Sequence, residues 1–208
     1  MPRPRFQRLS PERRAQILET AAKHFAEHGY DRASLNRILA ECAVSKGAAY
    51  YYFDDKADLF STVVEEAVRV GLDTEALRMD DVDAASFWPW VRGLYVRQLL
   101  AYREHPHLWR VVKSATDAVG HERDGARIAE RLAPLVEMMG GLLQRALALG
   151  VVRTDLPLDL LVSMIGGLDD ALDRWFLAHP DAIEPPDGGP MVAAAFESLR
   201  QLAASREV

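Results

Sequence analysis

Apolar residues recur at intervals of three and four along nearly the whole chain, which is the spacing of one buried face of an α-helix. The first such stripe consists of Ile17, Leu18, Ala21, Ala22 and Phe25. Ser10 precedes it as a residue able to cap free amides, and Pro11 suits the first helical position. Gly29 follows it and can adopt a positive φ. The pattern predicts a helix that begins at Pro11 and ends at Gly29.

Two short helical patterns come next, separated by a very short break at Ala43-Val44. The first spans Ser34–Cys42 and the second Ser45–Tyr51, each behind its own serine cap. Helices joined in this way form a helix-turn-helix, in which the second helix enters the DNA major groove and the first braces it. A further helix is predicted behind an Asp55 cap.

Beyond residue 60 the sequence is helical, without any alternating strand pattern. Helices are predicted over Ala85–Glu104, Pro106–Val119, Ala126–Leu149, Leu158–Ala178 and Pro190–Ala204. The Pro- and Gly-rich stretch Glu184–Pro190 is predicted to be a surface loop. We therefore expect an all-α protein with a three-helix head at residues 1–57 and a helical body at residues 58–208.

Charge divides along the same line as the predicted domains. Residues 1–60 carry 10 Lys+Arg against 8 Asp+Glu, whereas residues 61–208 have a net charge of −8. This asymmetry favours a DNA-facing head and a body that repels DNA. No membrane span or signal peptide is expected, and the single cysteine, Cys42, excludes an internal disulfide. The sequence therefore predicts a cytoplasmic protein.

The second short helix begins with small residues, Ser45-Lys46-Gly47-Ala48. Small residues let the backbone approach DNA closely, and free amides at a helix start suit a phosphate. Tyr50, Tyr51 and Tyr52 follow, and some of these rings must face outward. A plain helical hairpin with a tyrosine-rich surface is the alternative, but the two serine caps and Lys56 favour double-stranded DNA as a partner.

A longer set of residues stands at the fixed spacing of a known family. They are Ala21, Phe25, Gly29-Tyr30, Ala33-Ser34, Ile38, Val44-Ser45-Lys46-Gly47, Tyr50, Tyr52-Phe53, Lys56 and Leu59-Phe60. This run resembles the tetracycline-repressor (TetR) family of bacterial regulators, and it is far more specific than a generic helix-turn-helix.

The resemblance implies an N-terminal DNA-binding domain and a C-terminal ligand-binding and dimerisation domain. It implies a homodimer, held by a bundle of the last two long helices of each subunit. It also implies repression at a palindromic operator until a small hydrophobic effector releases the protein. Residues implied to bind DNA are Ser34, Arg37, Ser45, Lys46, Gly47, Tyr50, Tyr51, Tyr52 and Lys56. Among them Lys46 and Gly47 would face base edges and Lys56 would bind phosphate.

The chain departs from the family pattern at three positions. Ala48 replaces a threonine whose hydroxyl reaches phosphate, so one backbone contact is in doubt. Ala43 replaces the turn glycine, and it either accepts a strained φ or shifts the turn. Asn36 stands where an arginine is common, and Arg37 could take over that contact if it turns outward.

Three arginines near the start, Arg3, Arg5 and Arg8, allow two interpretations. They could reach along the minor groove or the phosphates. The alternative is a solvated, disordered tail.

Aromatic residues and methionines gather in the body, where a ligand cavity needs an apolar wall and a few polar groups. The predicted ligand-binding residues are Trp88, Tyr102, Trp109, Met138, Met164 and Asp169. With a body charge of −8, they favour a planar hydrophobic effector that is neutral or cationic. Aromatic residues at helical spacing can instead belong to the core.

Asp169, Asp170 and Asp173 form an acidic patch on one predicted helix. The favoured interpretation is a solvated face paired with Arg174, although one carboxylate pointing inward could select a cationic ligand.

Gly166 and Gly167 lie in the middle of the same predicted helix, where two glycines disfavour the helix by about 2 kcal/mol. A close approach of another helix across a dimer interface explains them best, and a weak spot in the helix is the alternative.

Other chemistry is not expected. His24 and His28 have a spacing that can hold zinc, but no cysteine or carboxylate cluster completes a site, so no metal or cofactor is predicted. Cys42 is expected to be buried and inert. No enzyme motif is found, and the helix-turn-helix together with the family resemblance predicts regulation as the function. The alternatives are an all-helical enzyme and a ligand-binding protein without operator binding.

Overall fold

The computed structural model describes residues 4–44, 51–71 and 81–205, and these residues are predominantly helical. The helices within them are α1 (Pro4–Gln7), α2 (Pro11–Arg32), α3 (Leu35–Glu41), α4 (Lys56–Gly71), α5 (Phe87–Glu104), α6 (Pro106–Val119), α7 (Gly125–Ala148), α8 (Leu158–Ala178) and α9 (Gly189–Ala203). The prediction of an all-α protein is confirmed. No helix in the described ranges is long and apolar enough to cross a membrane.

Helix α2 begins where the sequence predicts, and it leaves helical geometry at Gly29, where the sequence predicts its end. The Ser10 hydroxyl accepts a hydrogen bond from the Arg13 amide at 3.3 Å, and Pro11 occupies the first turn. Gly29 leaves helical geometry at φ 70° and ψ 173°, as a glycine at a helix end can. One further turn, which was not predicted, follows Gly29 and ends at Arg32.

The turn after α3 is tight and strained. Helix α3 ends at Glu41, and Ala43 then adopts the left-handed conformation with a φ of 54°. Ala43 was expected either to accept a strained φ or to shift the turn, and the structure shows the strained φ. The backbone is helical again at Tyr51 and Tyr52.

We expect Ala43→Gly to stabilise the protein by about 0.5 kcal/mol. Glycine removes a left-handed strain of about 1–2 kcal/mol but loses more chain entropy on folding. Urea unfolding measures the difference. The matched control is Ala40→Gly on the exposed side of α3, where glycine should destabilise by about 1 kcal/mol. Equal losses of stability in both variants would contradict the prediction.

The described chain forms two compact units. The first contains residues 4–44, 51–70 and 105–136, and therefore α1 to α4, α6 and the first half of α7. In it α2 packs along α6. Its core includes Ile17, Phe25, Ile38, Leu39, Phe53, Leu59, Phe60, Val63 and Val111.

The second unit contains residue 71, residues 81–104 and residues 137–205. Helix α9 packs on α8 and α5. The loop before α8 is tied to the end of α9, because the Arg153 amide donates to the Ala203 carbonyl and the Ser205 amide to the Val151 carbonyl, both at 2.9 Å. This pairing was not predicted.

The predicted helix limits agree closely with the structure. Pro106–Val119 and Leu158–Ala178 have the predicted bounds, and the other helices after residue 80 differ by at most two residues at either end. Helix α1 was missed. The predicted division separates a DNA-binding head at residues 1–57 from a ligand-binding body at residues 58–208. This division stays a prediction.

Candidate nucleic-acid interface and ligand-binding site

The described residues hold part of the predicted DNA-binding set. Ser34, Arg37, Tyr51, Tyr52 and Lys56 lie within them. Ser45, Lys46, Gly47 and Tyr50 lie outside the described residues, as does Ala48.

Helix α3 presents polar side chains to solvent at its start. Arg37 is exposed, as its predicted role requires, and so is Asn36. Ser34 occupies the N-cap position, but its side chain makes no capping hydrogen bond. The backbone of Ser34 is extended, with φ −117° and ψ 117°, so the capping position was predicted correctly and the capping bond was not.

The N-terminal arm is anchored on the aromatic residues that follow the turn. Phe6 is buried, with its ring centroid 4.7 Å from that of Phe53 and 6.2 Å from that of the half-buried Tyr52. This burial fixes α1, so the alternative of a disordered tail is wrong for residues 4–8, whereas Arg3 lies outside the described residues. The Arg5 guanidinium lies 4.4 Å from the ring centroid of Tyr51, which is 52% exposed. Arg5 and Tyr51 thus form one exposed pair.

Lys56 is held by the end of α2. Its ammonium donates hydrogen bonds to the carbonyls of Tyr30 at 2.8 Å and Asp31 at 3.0 Å, and it lies 4.4 Å from the Tyr30 ring centroid. A cation at a helix C-terminus is stabilised by the unpaired carbonyls there. Sequence reasoning missed this contact, and the predicted phosphate contact of Lys56 stays a prediction.

The same end of α2 is bonded to the start of α7. The Tyr30 hydroxyl donates to the Asp124 carboxylate at 2.6 Å. Burial and this hydrogen bond raise the pKa of Tyr30. His121 lies beside them, with its Nε2 2.8 Å from the Asp31 carboxylate. These contacts are all within the first unit.

Helix α4 is held to α7 by a second set of charges. The Arg131 guanidinium donates to Asp58, which is 4% exposed, and to Glu65 at 2.9 Å. Asp55 caps α4 by accepting from the Asp58 amide at 3.0 Å, as predicted, and it also pairs with Arg127. No local pattern indicates the arginine partners, because they lie in another helix.

Among the predicted ligand-binding residues, Tyr102 and Asp169 lie in the second unit, on two helices that pack against each other. Tyr102 is buried on α5 and Asp169 is half-buried on α8. Burial raises the pKa of the Tyr102 phenol, and the negative charges of Asp173 and Asp169 raise it further.

Other predicted ligand-binding residues lie elsewhere. Trp88 packs on Phe87 near the start of α5, about 20 Å along the helix from Tyr102. Met164 is 40% exposed and lies about 140° around α8 from Asp169, so the structure does not bring those two residues together.

Met138 and Trp109 complete the predicted set. Met138 is half-buried on the part of α7 that belongs to the second unit. Trp109 is 3% exposed in the first unit, with the Lys113 ammonium 4.6 Å from its ring centroid. Their roles in ligand binding stay predictions.

The acidic patch on α8 is divided between two faces. Asp170 pairs with Arg174 on the exposed side, which agrees with the favoured interpretation. That interpretation is wrong for Asp173, which is 1% exposed. Asp169 and Asp173 are one turn apart, so both lie toward the inner face. Asp170 is turned by about 100° from Asp169 around the helix axis.

The outer side of α8 carries a continuous stripe of apolar and small residues. Leu160, Met164 and Trp175 are each at least 40% exposed, and Gly167 is exposed between them. A Cβ atom built on Gly166 or Gly167 meets nothing within 4 Å. Packing within the described part of the chain therefore does not require glycine at either position.

His24 makes a polar contact instead of completing a metal site. Its Nε2 lies 2.7 Å from the Glu41 carboxylate, and its ring centroid is 5.8 Å from that of His28. No group of three or more His, Cys, Asp or Glu side chains is placed to hold a metal ion in the ranges that the structure describes. Cys42 is buried on the inward side of α3, as predicted.

The sequence profile described as "Bacterial regulatory proteins, tetR family" matches residues 17–63. The transcriptional repressor AcnR of Corynebacterium diphtheriae is 32% identical over 153 residues, which are 72% of this chain and 73% of that protein. AcnR of Corynebacterium glutamicum is 30% identical over 156 residues, 71% of this chain and 73% of the relative. A TetR-family regulator structure from Marinobacter aquaeolei aligns with a TM-score of 0.66 at 20% identity, covering 93% of this chain and 96% of the other.

The helical fold, the helix-turn-helix region and these relatives together define a DNA-binding transcriptional regulator, which is not an enzyme. The chain belongs to the TetR family of bacterial regulatory proteins. The resemblance noted from the sequence is thereby confirmed.

Proposed function

We propose that this regulator is a homodimeric repressor that binds a palindromic operator through its helix-turn-helix region. In this proposal a small hydrophobic effector binds in the body and releases the operator. The names of the relatives, which include HTH-type transcriptional repressors, support repression over activation.

One observation carries the proposed DNA contact. Two arginines are exposed on the helix-turn-helix region and its arm: Arg37 on α3, and Arg5 over the exposed ring of Tyr51. Guanidinium groups bind phosphate oxygens in a bidentate manner, and a tyrosine hydroxyl adds a further donor. The Phe6 anchor restricts the arm in advance, so less conformational entropy is lost when DNA binds.

We expect Arg5→Ala and Arg37→Ala each to weaken operator binding. If each arginine contacts one phosphate, its loss should lower the salt slope of log K by about one unit. Gel shifts with the DNA upstream of the protein's own gene, over a range of salt concentrations, measure this. Arg103→Ala is the matched control, because Arg103 is exposed on α5 in the second unit. Unchanged salt slopes in both head variants would rule out this surface.

Lys56→Ala separates two possible roles of one ammonium group. We expect weaker binding on all DNA sequences and a salt slope lower by about one unit, because a phosphate contact is lost. Stability should fall as well, because the carbonyls of Tyr30 and Asp31 lose their donor. The control is Lys23→Ala, which removes an exposed lysine paired with Glu19. If stability falls but operator affinity at moderate salt is unchanged, Lys56 binds the carbonyls of Tyr30 and Asp31 and does not contact DNA phosphate.

The proposed homodimer is held by α8 and α9. Its support is the exposed apolar stripe of α8, which contains Leu160, Met164 and Gly167. Exposed apolar stripes of this kind are typical of interaction surfaces. Two symmetry-related heads would read half-sites about one helical turn of DNA apart, or a little more.

The proposed effector is planar, hydrophobic and either neutral or cationic. The packing of α5, which carries Tyr102, against α8, which carries Asp169, supports an aromatic and acidic site in the second unit. Effector binding must favour the conformation that does not bind DNA, because a ligand with equal affinity for both conformations shifts nothing.

A further inference from the structure

A cavity of about 540 Å³ lies between α4 and α7, inside the first unit. Small-molecule sites in proteins commonly have volumes of about 300–1,000 Å³, so a ligand of modest size fits here. The charged part of the wall consists of four carboxylates and two guanidinium groups, which belong to Asp54, Asp58, Glu65, Glu130, Arg127 and Arg131. The cavity is distinct from the effector site proposed above, because Tyr102 and Asp169 lie in the second unit.

Ser61 contributes a hydroxyl group to this cavity. The residue is 0% exposed, and its oxygen has no hydrogen-bond partner in the part of the chain that the structure describes. Buried hydroxyls are nearly always hydrogen-bonded, and inside a helix they commonly donate to the carbonyl four residues earlier. Thr62 does so, donating to the Asp58 carbonyl at 2.7 Å, and Thr20 and Ser163 donate in the same way. The Ser61 hydroxyl differs from these and is left for a partner in the cavity.

Arg131 does not satisfy this hydroxyl. Asp58, Ser61 and Glu65 lie on one face of α4, so the Arg131 side chain spans the two helical turns that contain Ser61. Its Nε and Nη2 atoms donate to Glu65 at 3.1 Å and 2.9 Å, and its Nη1 atom donates to Asp58. The guanidinium is therefore bonded to the two carboxylates, and the hydroxyl between them stays without a partner.

The charge of the cavity favours a cation. Arg131 is shared by Asp58 and Glu65, so these three side chains together keep one negative charge. Glu130, which is exposed on α7, adds another. Counted over its lining residues, the cavity has a net charge of −2 at neutral pH, which attracts cations and repels anions.

We propose that this cavity is a second ligand site, which binds a primary aliphatic ammonium ion. The ammonium donates a hydrogen bond to the Ser61 oxygen and is attracted by the charge of Glu130. The ion pairs of Arg131 stay in place, because the ammonium uses the hydroxyl and not the carboxylates that Arg131 holds. The aliphatic part of the ligand packs on Ala57 and Pro134, which form the apolar part of the wall. This inference goes beyond the proposed function and does not depend on operator binding.

A matched set of three probes tests the charge requirement. They share one ring: cyclohexylmethylamine is a cation at neutral pH, cyclohexylmethanol is neutral and cyclohexanecarboxylate is an anion. In calorimetry of the full-length protein without DNA, the amine should bind about tenfold more tightly than the alcohol, because a charge-assisted hydrogen bond is about twice as strong as a neutral one. The carboxylate should not bind.

Ser61→Ala tests the hydroxyl and also locates the site. It should weaken amine binding by about tenfold, because the acceptor of the ammonium is lost. Without a ligand it should keep or raise the Tm, because it removes a buried hydroxyl that makes no hydrogen bond and alanine favours a helix. Thr62→Val is the matched control, because the Thr62 hydroxyl is bonded to the Asp58 carbonyl, and it should leave the amine affinity unchanged.

Glu130→Gln tests the exposed charge. It should weaken amine binding by about two- to fivefold, which is the range of an exposed charge pair. Glu27→Gln is its control, because Glu27 is exposed on α2 and does not line the cavity, and it should have no effect on the amine.

The inference is overturned if the carboxylate or the alcohol binds as tightly as the amine, or if the amine does not bind below about 1 mM. It is also overturned if Ser61→Ala leaves the amine affinity unchanged. In that case the amine occupies another site, such as the one proposed in the second unit. A Tm that falls in Ser61→Ala, together with unchanged amine binding, would show that the hydroxyl has a structural role only.

Discussion

Replacing Arg131 by methionine is expected to lower the free energy of unfolding by about 3 kcal/mol. Arg131 donates to Asp58 and Glu65, and the Asp58 side chain is only 3% exposed. Methionine keeps most of the apolar packing but leaves a carboxylate in a buried position without its cation. The Asp54 amide still donates to Asp58 at 3.2 Å, so the loss should fall at the lower end of the range for a broken buried pair. Urea unfolding measures the change.

Two further variants show whether the buried charge causes this loss. Arg127→Met breaks an ion pair whose side chains are 53% and 38% exposed, and it should cost less than about 1 kcal/mol. Asp58→Asn, added to Arg131→Met, removes the uncompensated charge and should restore part of the stability. Equal losses in the two arginine variants, or a double variant less stable than Arg131→Met, would show that burial of charge is not the cause.

Most of the helices could be predicted because their signals are local. The Ser10 cap, the glycine at position 29 and the stripe from Ile17 to Phe25 specify α2 from one continuous stretch of sequence. Helix α1 has only four residues, from Pro4 to Gln7, which is too short for a hydrophobic period. Its order comes from burial of Phe6 against Tyr52 and Phe53, residues far along the chain.

At the candidate sites too, contacts could be predicted only between residues that are close in the sequence. The pairing of Asp170 with Arg174 could be predicted because the two residues are four positions apart on one helix. Arg131 and Asp58 are 73 positions apart, and no periodicity indicates that they meet. For the same reason, the pattern showed three aspartates on α8 but not that Asp173 points inward, because this depends on how α5 and α9 pack against α8.

Gly167 lies on the α8 stripe that is proposed as the dimer interface, so a large side chain at this position should have a large effect on the dimer. We expect Gly167→Leu to dissociate the dimer and to abolish operator binding. Helices that meet at glycine approach closely, and overpacking such a contact typically costs about 1–3 kcal/mol. A two-fold interface contains every substitution twice, so the total is about 4 kcal/mol, or roughly a thousandfold in the dimer dissociation constant.

Within one protomer the same substitution should do no harm. A Cβ atom on Gly167 meets nothing within 4 Å, and leucine favours a helix over glycine by about 0.8 kcal/mol. Gly141→Leu on α7 is the matched control, because it is also exposed, helical and open around its Cβ atom. Light scattering at micromolar concentration should give a monomer for Gly167→Leu and a dimer for Gly141→Leu, and gel shifts should show operator binding by the second only. A dimeric Gly167→Leu variant with normal operator affinity would place the interface elsewhere, and a monomeric wild-type protein would refute the dimer itself.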